Sequence, residues 1–140
     1  MRISLCNEVL AEFDFARQCE IAQKLGYDGL EVAPVTLSEE PHLLSPARRR
    51  ELRKIAEDAG SPVTGLHYLL VAPKGLSITS IDAAVRERTI EVIRRLVALA
   101  HDLGGTMIVH GSPAHRRLEP GHEEACRRHG IECWAAVARD

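Results

Sequence analysis

Residues 52–67, with the sequence LRKIAEDAGSPVTGLH, contain the pattern that decides the fold. The apolar residues at positions 52, 55, 56 and 59 recur every three or four residues, which predicts one buried face of an α-helix. Gly60 follows, and glycine best tolerates the left-handed conformation found just after a helix. The short apolar run at residues 63–67 then predicts a strand buried on both faces. A helix that leads directly into a buried strand is therefore expected.

The same unit recurs along the whole chain. Each helical pattern stops at a glycine, and these glycines are Gly26, Gly60 and Gly104. Short apolar runs precede the first helix and follow each glycine, at residues 3–6, 29–32, 63–67 and 106–110. Strands that alternate with helices indicate parallel βαβ units. We expect four strand–helix units, the last helix running from about residue 123 to residue 137.

The lengths of the connections predict which end of the sheet carries the functional site. Helix-to-strand connections take two or three residues, whereas strand-to-helix connections are long, at residues 33–44, 69–80 and 111–121. In α/β folds, the loops after the carboxyl ends of the strands build the site. No strand is followed by GxGxxG or GxxxxGK[ST], which disfavours a nucleotide-binding doubly wound fold. The pattern predicts an α/β fold with a parallel sheet, a partial TIM (β/α)8 barrel.

The number of units predicts half of such a barrel. A complete barrel has about 250 residues, and the 140 residues here hold about four units. We therefore interpret residues 1–140 as a single domain, the N-terminal half of the barrel. A truncated form of an enzyme is the leading expectation. The alternative is a non-catalytic half-barrel that pairs its open sheet edges with another chain, for example as a homodimer.

Composition and charge exclude several classes of protein. A hydrophobic content of 45% is typical of a globular core, and the net charge of −2 argues against a nucleic-acid partner. No apolar run is long enough for a signal peptide or a membrane span, so a cytoplasmic protein without membrane contact is expected. The four cysteines lack CxxC and zinc-finger spacing and are expected to be buried, reduced thiols. They are Cys6, Cys19, Cys126 and Cys133.

Three polar residues on the predicted strands are candidates for a site. Glu31 lies between Leu30 and Val32, and a buried carboxylate must be ion-paired, hydrogen-bonded or metal-bound. His67 and His110 end strands three and four at equivalent positions. Their side chains are therefore expected to reach one small polar ligand, as hydrogen-bonding groups, proton shuttles or metal ligands.

Two further residues are weaker candidates for contacts to a ligand. Arg116, in the loop after strand four, carries a planar guanidinium that suits a phosphate or a carboxylate. Asn7 lies just past strand one. The residues at these strand ends do not make a complete divalent-metal site, so no metal ligand and no catalytic residue is assigned. His67 with His110 is the weak alternative for a metal.

Four segments resemble the sugar-phosphate isomerase/epimerase family, which belongs to the xylose isomerase-like TIM barrels. They are residues 29–34 (GLEVAP), 65–67 (GLH), 75–80 (GLSITS) and 109–113 (VHGSP). The resemblance implies isomerisation or epimerisation of a keto sugar, by proton transfer next to a carbonyl. A divalent metal (Mn, Mg, Co or Zn) would assist in the full-length enzyme. It also implies that Glu31, His67 and His110 contact hydroxyl groups of a carbohydrate substrate.

The resemblance also implies a division of the site. The family's core metal ligands, a Glu, an Asp, a His and a second Glu, come from strands five to eight, beyond the four predicted here. This chain is therefore expected to lack the metal site. In the related endonuclease IV-type enzymes, histidines ending strands three and four bind zinc, and His67 and His110 match them. A DNA-repair nuclease remnant is thus a third alternative, against which the net charge argues.

Overall fold

The computed structural model describes residues 1–139. Within them, strands and α-helices alternate as the sequence predicts. They are β1 (Ser4–Cys6), α1 (Phe15–Lys24), β2 (Gly29–Val32), α2 (Pro46–Asp58), β3 (Val63–His67), α3 (Ala83–Leu103), β4 (Met107–Val109) and α4 (Glu123–Val137). Short 3-10 turns lie at Asn7–Leu10, Pro34–Thr36, Pro41–Leu43 and Pro113–Arg116. The predicted order of elements is confirmed.

The helix boundaries follow from local chemistry. Asp14 precedes α1 and its Oδ1 accepts a hydrogen bond from the Arg17 N–H at 2.8 Å. Ser45 does the same for α2, accepting from the Arg48 N–H at 3.2 Å. These side chains satisfy N–H groups that have no partner inside the helix. At the other end of α3, Gly104 has φ of 89°, a conformation that favours glycine and ends the helix.

The four strands form one parallel sheet in the order β1-β2-β3-β4. The register pairs Cys6 with Glu31, Glu31 with Gly65, and His67 with Val109. Since side chains alternate across a strand, these five residues share one face of the sheet. Sequential parallel strands joined by crossover helices are the repeating unit of a TIM barrel wall, so the predicted partial barrel is confirmed.

The opposite face of the sheet carries the hydrophobic core. Leu30, Val32 and Leu66 are fully buried there, packed with the apolar sides of the helices. The helical side chains of this cluster include Cys19, Ala22, Leu52, Ala56, Ile93, Leu96, Leu99 and Leu103. Their spacing of three or four residues is the period that predicted the helices.

The face that carries Glu31 and His67 is much less covered. Met107 and Val109 of β4 lie on it and are 53% and 40% exposed. In a closed barrel this face would be the interior, filled by side chains from the other strands. It is here an open surface, flanked at the carboxyl edge by the long strand-to-helix loops.

The cysteines divide between the two faces. Cys19, Cys126 and Cys133 are buried free thiols, as predicted. The prediction is wrong for Cys6, which is only partly buried because it lies on the open face. Among residues 1–139, no helix combines the length and apolar character needed to cross a membrane.

Candidate functional site

Three side chains meet at the carboxyl edge of the sheet, one from each of β1, β2 and β3. The Cys6 thiol donates a hydrogen bond to Glu31 Oε2 at 3.3 Å. His67 Nδ1 lies 3.9 Å from the same carboxylate oxygen. The three atoms lie within 4.8 Å of one another. This convergence is a consequence of register, because neighbouring parallel strands end at the same edge and these residues point to the same side.

Glu8 adds a second carboxylate to this group. It lies in the turn after β1, and its Oε2 is 3.2 Å from His67 Nε2. The imidazole of His67 thus lies between two carboxylates, one near each ring nitrogen. Neither nitrogen has a partner in hydrogen-bonding geometry, although His67 is only 6% exposed. We call Cys6, Glu8, Glu31 and His67 the strand-end cluster.

The environment of the cluster keeps the Cys6 thiol protonated. Burial raises the pKa of Cys6 to about 11, and the hydrogen bond to Glu31 and the negative charge of that carboxylate add to the rise. A thiol with such a pKa is a poor nucleophile near neutral pH, because the thiolate is the reactive form. By itself, Cys6 therefore serves as a hydrogen-bond donor rather than an attacking group.

The expectation that His67 and His110 occupy equivalent positions is wrong. The register pairs His67 with Val109, so His110 comes one residue later and lies beyond the end of β4. Its ring lies edge-on against Trp134 of α4, with centroids 5.4 Å apart, on the helix-covered side. Two histidines on opposite sides of a sheet do not fit one metal ion or one small ligand. The substrate contact predicted for His110 stays a prediction.

The electrostatics of His110 agree with a neutral ring in an apolar setting. Burial lowers the pKa of His110, and the charges of Arg116 and His115 lower it further. Both ring nitrogens lack a hydrogen-bond partner. Arg116 itself is exposed and lines a groove with Thr79 and Trp134, which places it on the α4 side. Its predicted contact to a substrate anion also stays a prediction.

Asn7 lies at the end of β1, as expected, but its side-chain amide forms hydrogen bonds with other residues of the protein. Its Nδ2 donates to Gln18 Oε1 at 2.9 Å and to Thr36 Oγ1 at 2.7 Å. Its Oδ1 accepts from the Ala33 N–H at 2.8 Å, and the residue is fully buried. These bonds tie α1 and the loop after β2 to the end of β1. They favour a structural role, and the predicted ligand contact is untested.

Two members of the strand-end cluster were missed by sequence reasoning. The sequence predicts Cys6 as a buried thiol, although its place at the end of an apolar run, as for His67, is a signal that could have identified it. Glu8 carries no such signal, since it lies two residues past β1 in a turn whose direction no periodicity predicts. Its approach to His67 is a product of tertiary structure alone.

The fold defines an α/β protein of the TIM barrel class, and the strand-end cluster lies at the carboxyl edge of its sheet. Residues 19–140 match a family model described as the xylose isomerase-like TIM barrel. The chain belongs to this family. No curated protein matches the chain by sequence.

Three solved structures with the same fold are named as epimerases of sugars. A D-psicose 3-epimerase in the presence of D-fructose is 24% identical over 92% of this chain and 43% of its own, with a TM-score of 0.70. The D-psicose 3-epimerase from Clostridium cellulolyticum H10, with D-tagatose, is 19% identical over 91% and 43%, with a TM-score of 0.69. The apo 3-keto-D-glucoside 4-epimerase from E. coli is 16% identical over 99% and 52%, with a TM-score of 0.69. At these identities the likeness establishes the fold, and the chain spans about half the length of each structure.

Proposed function

We propose that this chain forms the substrate-binding side of a sugar isomerase or epimerase site, which acts on a keto sugar or its phosphate. The observation that carries the proposal is the convergence of Glu31 and His67 on the open face, at the carboxyl edge of the sheet. TIM barrel enzymes have their sites at this edge. The chain belongs to the xylose isomerase-like TIM barrels, and similar solved structures are named as sugar epimerases.

The chemistry of the cluster suits hydroxyl groups. A carboxylate accepts hydrogen bonds from adjacent hydroxyls, and a neutral imidazole donates one and accepts one. Glu31 keeps a second oxygen, Oε1, beyond the one that Cys6 and His67 approach. In the reaction that the family resemblance implies, a general base would remove a proton next to the carbonyl, and a bound divalent metal would supply stabilisation of the negative charge on oxygen. We assign substrate binding to this chain and no proton-transfer residue.

The experiment is a titration of the 140-residue chain with ketoses and ketose phosphates, followed by NMR of the His67 ring protons. A chelator is present throughout, so that no metal contributes. We expect saturable shifts at about 10 mM ligand, well above the 1 μM to 1 mM range typical of enzyme KM values. The corresponding alditol, which lacks the carbonyl, is expected to bind more weakly.

Two variants distinguish binding at the strand-end cluster from nonspecific effects of the sugar on the spectrum. Glu31→Gln is expected to abolish the shifts, whereas Glu20→Gln, on the exposed side of α1, retains them. If no ketose or ketose phosphate shifts the His67 resonances, the proposed function is wrong. Circular dichroism of each variant confirms that the fold is unchanged.

A second candidate, a half-barrel that assembles with another copy, is favoured by one observation. The open face carries the exposed side chains of Met107 and Val109, and β4 is an edge strand. An unpaired edge next to an apolar surface promotes pairing with a second chain. Light scattering is expected to give a dimer that Val109→Lys converts to a monomer, while Val97→Lys, on an exposed part of α3, remains dimeric. A monodisperse monomer of the unmodified chain would exclude this candidate.

A further inference from the structure

The strand-end cluster contains three potential metal ligands, and this set differs from the pair His67 and His110 predicted from the sequence. Cys6, Glu31 and His67 contribute a thiol, a carboxylate and an imidazole. The thiol sulfur lies 3.3 Å and the imidazole Nδ1 3.9 Å from the same carboxylate oxygen, Glu31 Oε2. All three donors are carried by strands rather than by flexible loops, so their spacing is fixed by the hydrogen bonds of the sheet.

The burial of the His67 imidazole without a hydrogen-bond partner is independent support for a ligand at the strand-end cluster. The residue is 6% exposed, and neither ring nitrogen makes a hydrogen bond. A buried polar group without a partner costs about 1–3 kcal/mol. A cation bound at Nδ1, on the side of Glu31 and Cys6, would supply that partner. It would also displace the thiol proton of Cys6 into solvent and hold the resulting thiolate next to the Glu31 carboxylate.

We propose that Cys6 Sγ, Glu31 Oε2 and His67 Nδ1 bind one divalent cation of the zinc class, with a fourth position open towards the uncovered face of the sheet. In a tetrahedral zinc site, bonds of about 2.0–2.3 Å place ligand atoms about 3.3–3.8 Å apart. The separations of 3.3 and 3.9 Å lie close to that range. The third separation, from Cys6 Sγ to His67 Nδ1, is at most 4.8 Å. Side-chain movements of about 1 Å are therefore enough to complete the site.

The donor types select the ion. A thiolate with an imidazole and a carboxylate suits zinc, or cobalt as its spectroscopic substitute, whereas magnesium, calcium and manganese prefer oxygen ligands. This site thus differs in its donor atoms and in its position from the ligand set on strands five to eight that the family resemblance implies. It also excludes His110, which lies against Trp134.

Glu8 has a separate role as a positioning residue. When Nδ1 binds the cation, Nε2 carries the proton and lies 3.2 Å from Glu8 Oε2. A carboxylate that accepts from the second nitrogen fixes the tautomer and orientation of a metal-binding histidine. Loss of such a partner typically weakens metal affinity by about 10- to 100-fold.

The zinc site goes beyond the proposed sugar-binding function and does not rest on it. Zinc binding is measured without sugar, and sugar binding is measured with a chelator, so either can fail alone. If both occur, the open fourth position faces the surface on which we place the sugar.

The test is a titration of the metal-free, reduced chain with Co2+, followed by displacement with Zn2+. Cobalt bound to a thiolate gives an intense near-ultraviolet charge-transfer band, which exposed histidines and carboxylates do not produce. We expect this band with one equivalent of cobalt, its loss on adding zinc, and zinc binding with the same stoichiometry by calorimetry. Zinc is also expected to protect Cys6 from alkylation, as located by peptide mass spectrometry.

Variants identify the ligands. Cys6→Ser and His67→Gln are each expected to abolish the band and to weaken zinc binding more than tenfold, whereas Glu8→Gln keeps the band and weakens binding about tenfold. Cys133→Ser is the matched control, because Cys133 Sγ donates to Ile78 O at 3.3 Å in the core and serine can do the same. A cobalt spectrum without the thiolate band overturns the proposal. Unchanged zinc affinity in Cys6→Ser, with the fold intact by circular dichroism, overturns it equally.

Discussion

The thiol of Cys6 donates a hydrogen bond to Glu31 Oε2 across 3.3 Å, and this bond joins the end of β1 to β2 at the edge of the site. Burial, with a smaller contribution from Glu31, raises the pKa of Cys6 to about 11. In the presence of a chelator, alkylation by iodoacetamide is therefore expected to be slow at about pH 8. It should accelerate about tenfold per pH unit towards pH 11, because only the thiolate reacts.

The contribution of the Glu31 carboxylate to the raised pKa of Cys6 can be measured separately. Glu31→Gln removes the negative charge, so the pKa of Cys6 is expected to fall and alkylation at pH 8 to become faster. Peptide mass spectrometry distinguishes Cys6 from the three buried cysteines. A rate that already levels off near pH 8 in the unmodified protein would contradict the predicted pKa.

Substitution of Asn7 is expected to reduce stability rather than only ligand binding. Asn7→Ala leaves the Ala33 N–H and the side chains of Gln18 and Thr36 without their buried partner. Unsatisfied buried groups cost about 1–3 kcal/mol each where water cannot reach them, so we expect a loss of about 3 kcal/mol in the free energy of unfolding. Urea denaturation measures this loss.

The control for this prediction is another buried polar residue. Ser61 has a buried hydroxyl without a hydrogen-bond partner, so Ser61→Ala is expected to be neutral or stabilising. Unchanged stability of Asn7→Ala together with lost ketose binding would instead support the ligand contact predicted from the sequence.

β3 and β4 approach so closely at Gly65 that there is no room for a side chain at this position. A Cβ at this position would lie 2.5 Å from the backbone oxygen of Met107, so the two strands would have to move apart. Gly65→Ala is therefore expected to lower the free energy of unfolding by about 1–3 kcal/mol. Gly130 provides the comparison, since a Cβ there would meet Thr79 Cγ2 at an ordinary 3.4 Å.

Gly130→Ala is expected to stabilise the protein, because alanine is favoured over glycine within a helix by about 0.5–1 kcal/mol. Thermal unfolding of the two variants should thus shift in opposite directions. Equal destabilisation by both substitutions would contradict the steric explanation.

Acid is expected to destabilise the protein below about pH 6.5. Burial lowers the pKa values of His42, His110 and His115 below the ordinary value of 6.5, so the unfolded chain binds protons first as the pH falls. The free energy of unfolding therefore decreases with falling pH, and the decrease ends once the folded-state pKa values are passed. Denaturant titrations between about pH 5 and pH 8 measure it.

His110→Phe tests the contribution of one of these three histidines to the acid effect. Phenylalanine keeps an aromatic ring against Trp134 and cannot be protonated, so the variant should lose less stability on acidification. His101, whose side chain is largely exposed, serves as the control, and His101→Asn is expected to retain the full decrease. An identical pH dependence in His110→Phe would show that this ring does not contribute.

Much of the fold was predictable because it depends on short-range features. The helices were identified from apolar residues three and four apart, and their ends from glycines such as Gly60 and Gly104, which have φ of 70° and 89°. Glu31 and His67 are predicted as candidate site residues because each ends or interrupts an apolar strand. Such signals lie within a few residues of one another, so they can be read without knowledge of long-range contacts.

The composition of the site was less predictable, because it depends on how strands align. The sequence by itself determined that β3 ends with His67, and it predicted that β4 ends with His110, whereas β4 ends at Val109. Only the tertiary structure decided that His67 pairs with Val109, which turns His110 to the helix side. A shift of one residue reverses the face of every side chain in a strand, and this register is set by packing between strands. The same packing, and no local pattern, brings Cys6 and Glu8 to His67.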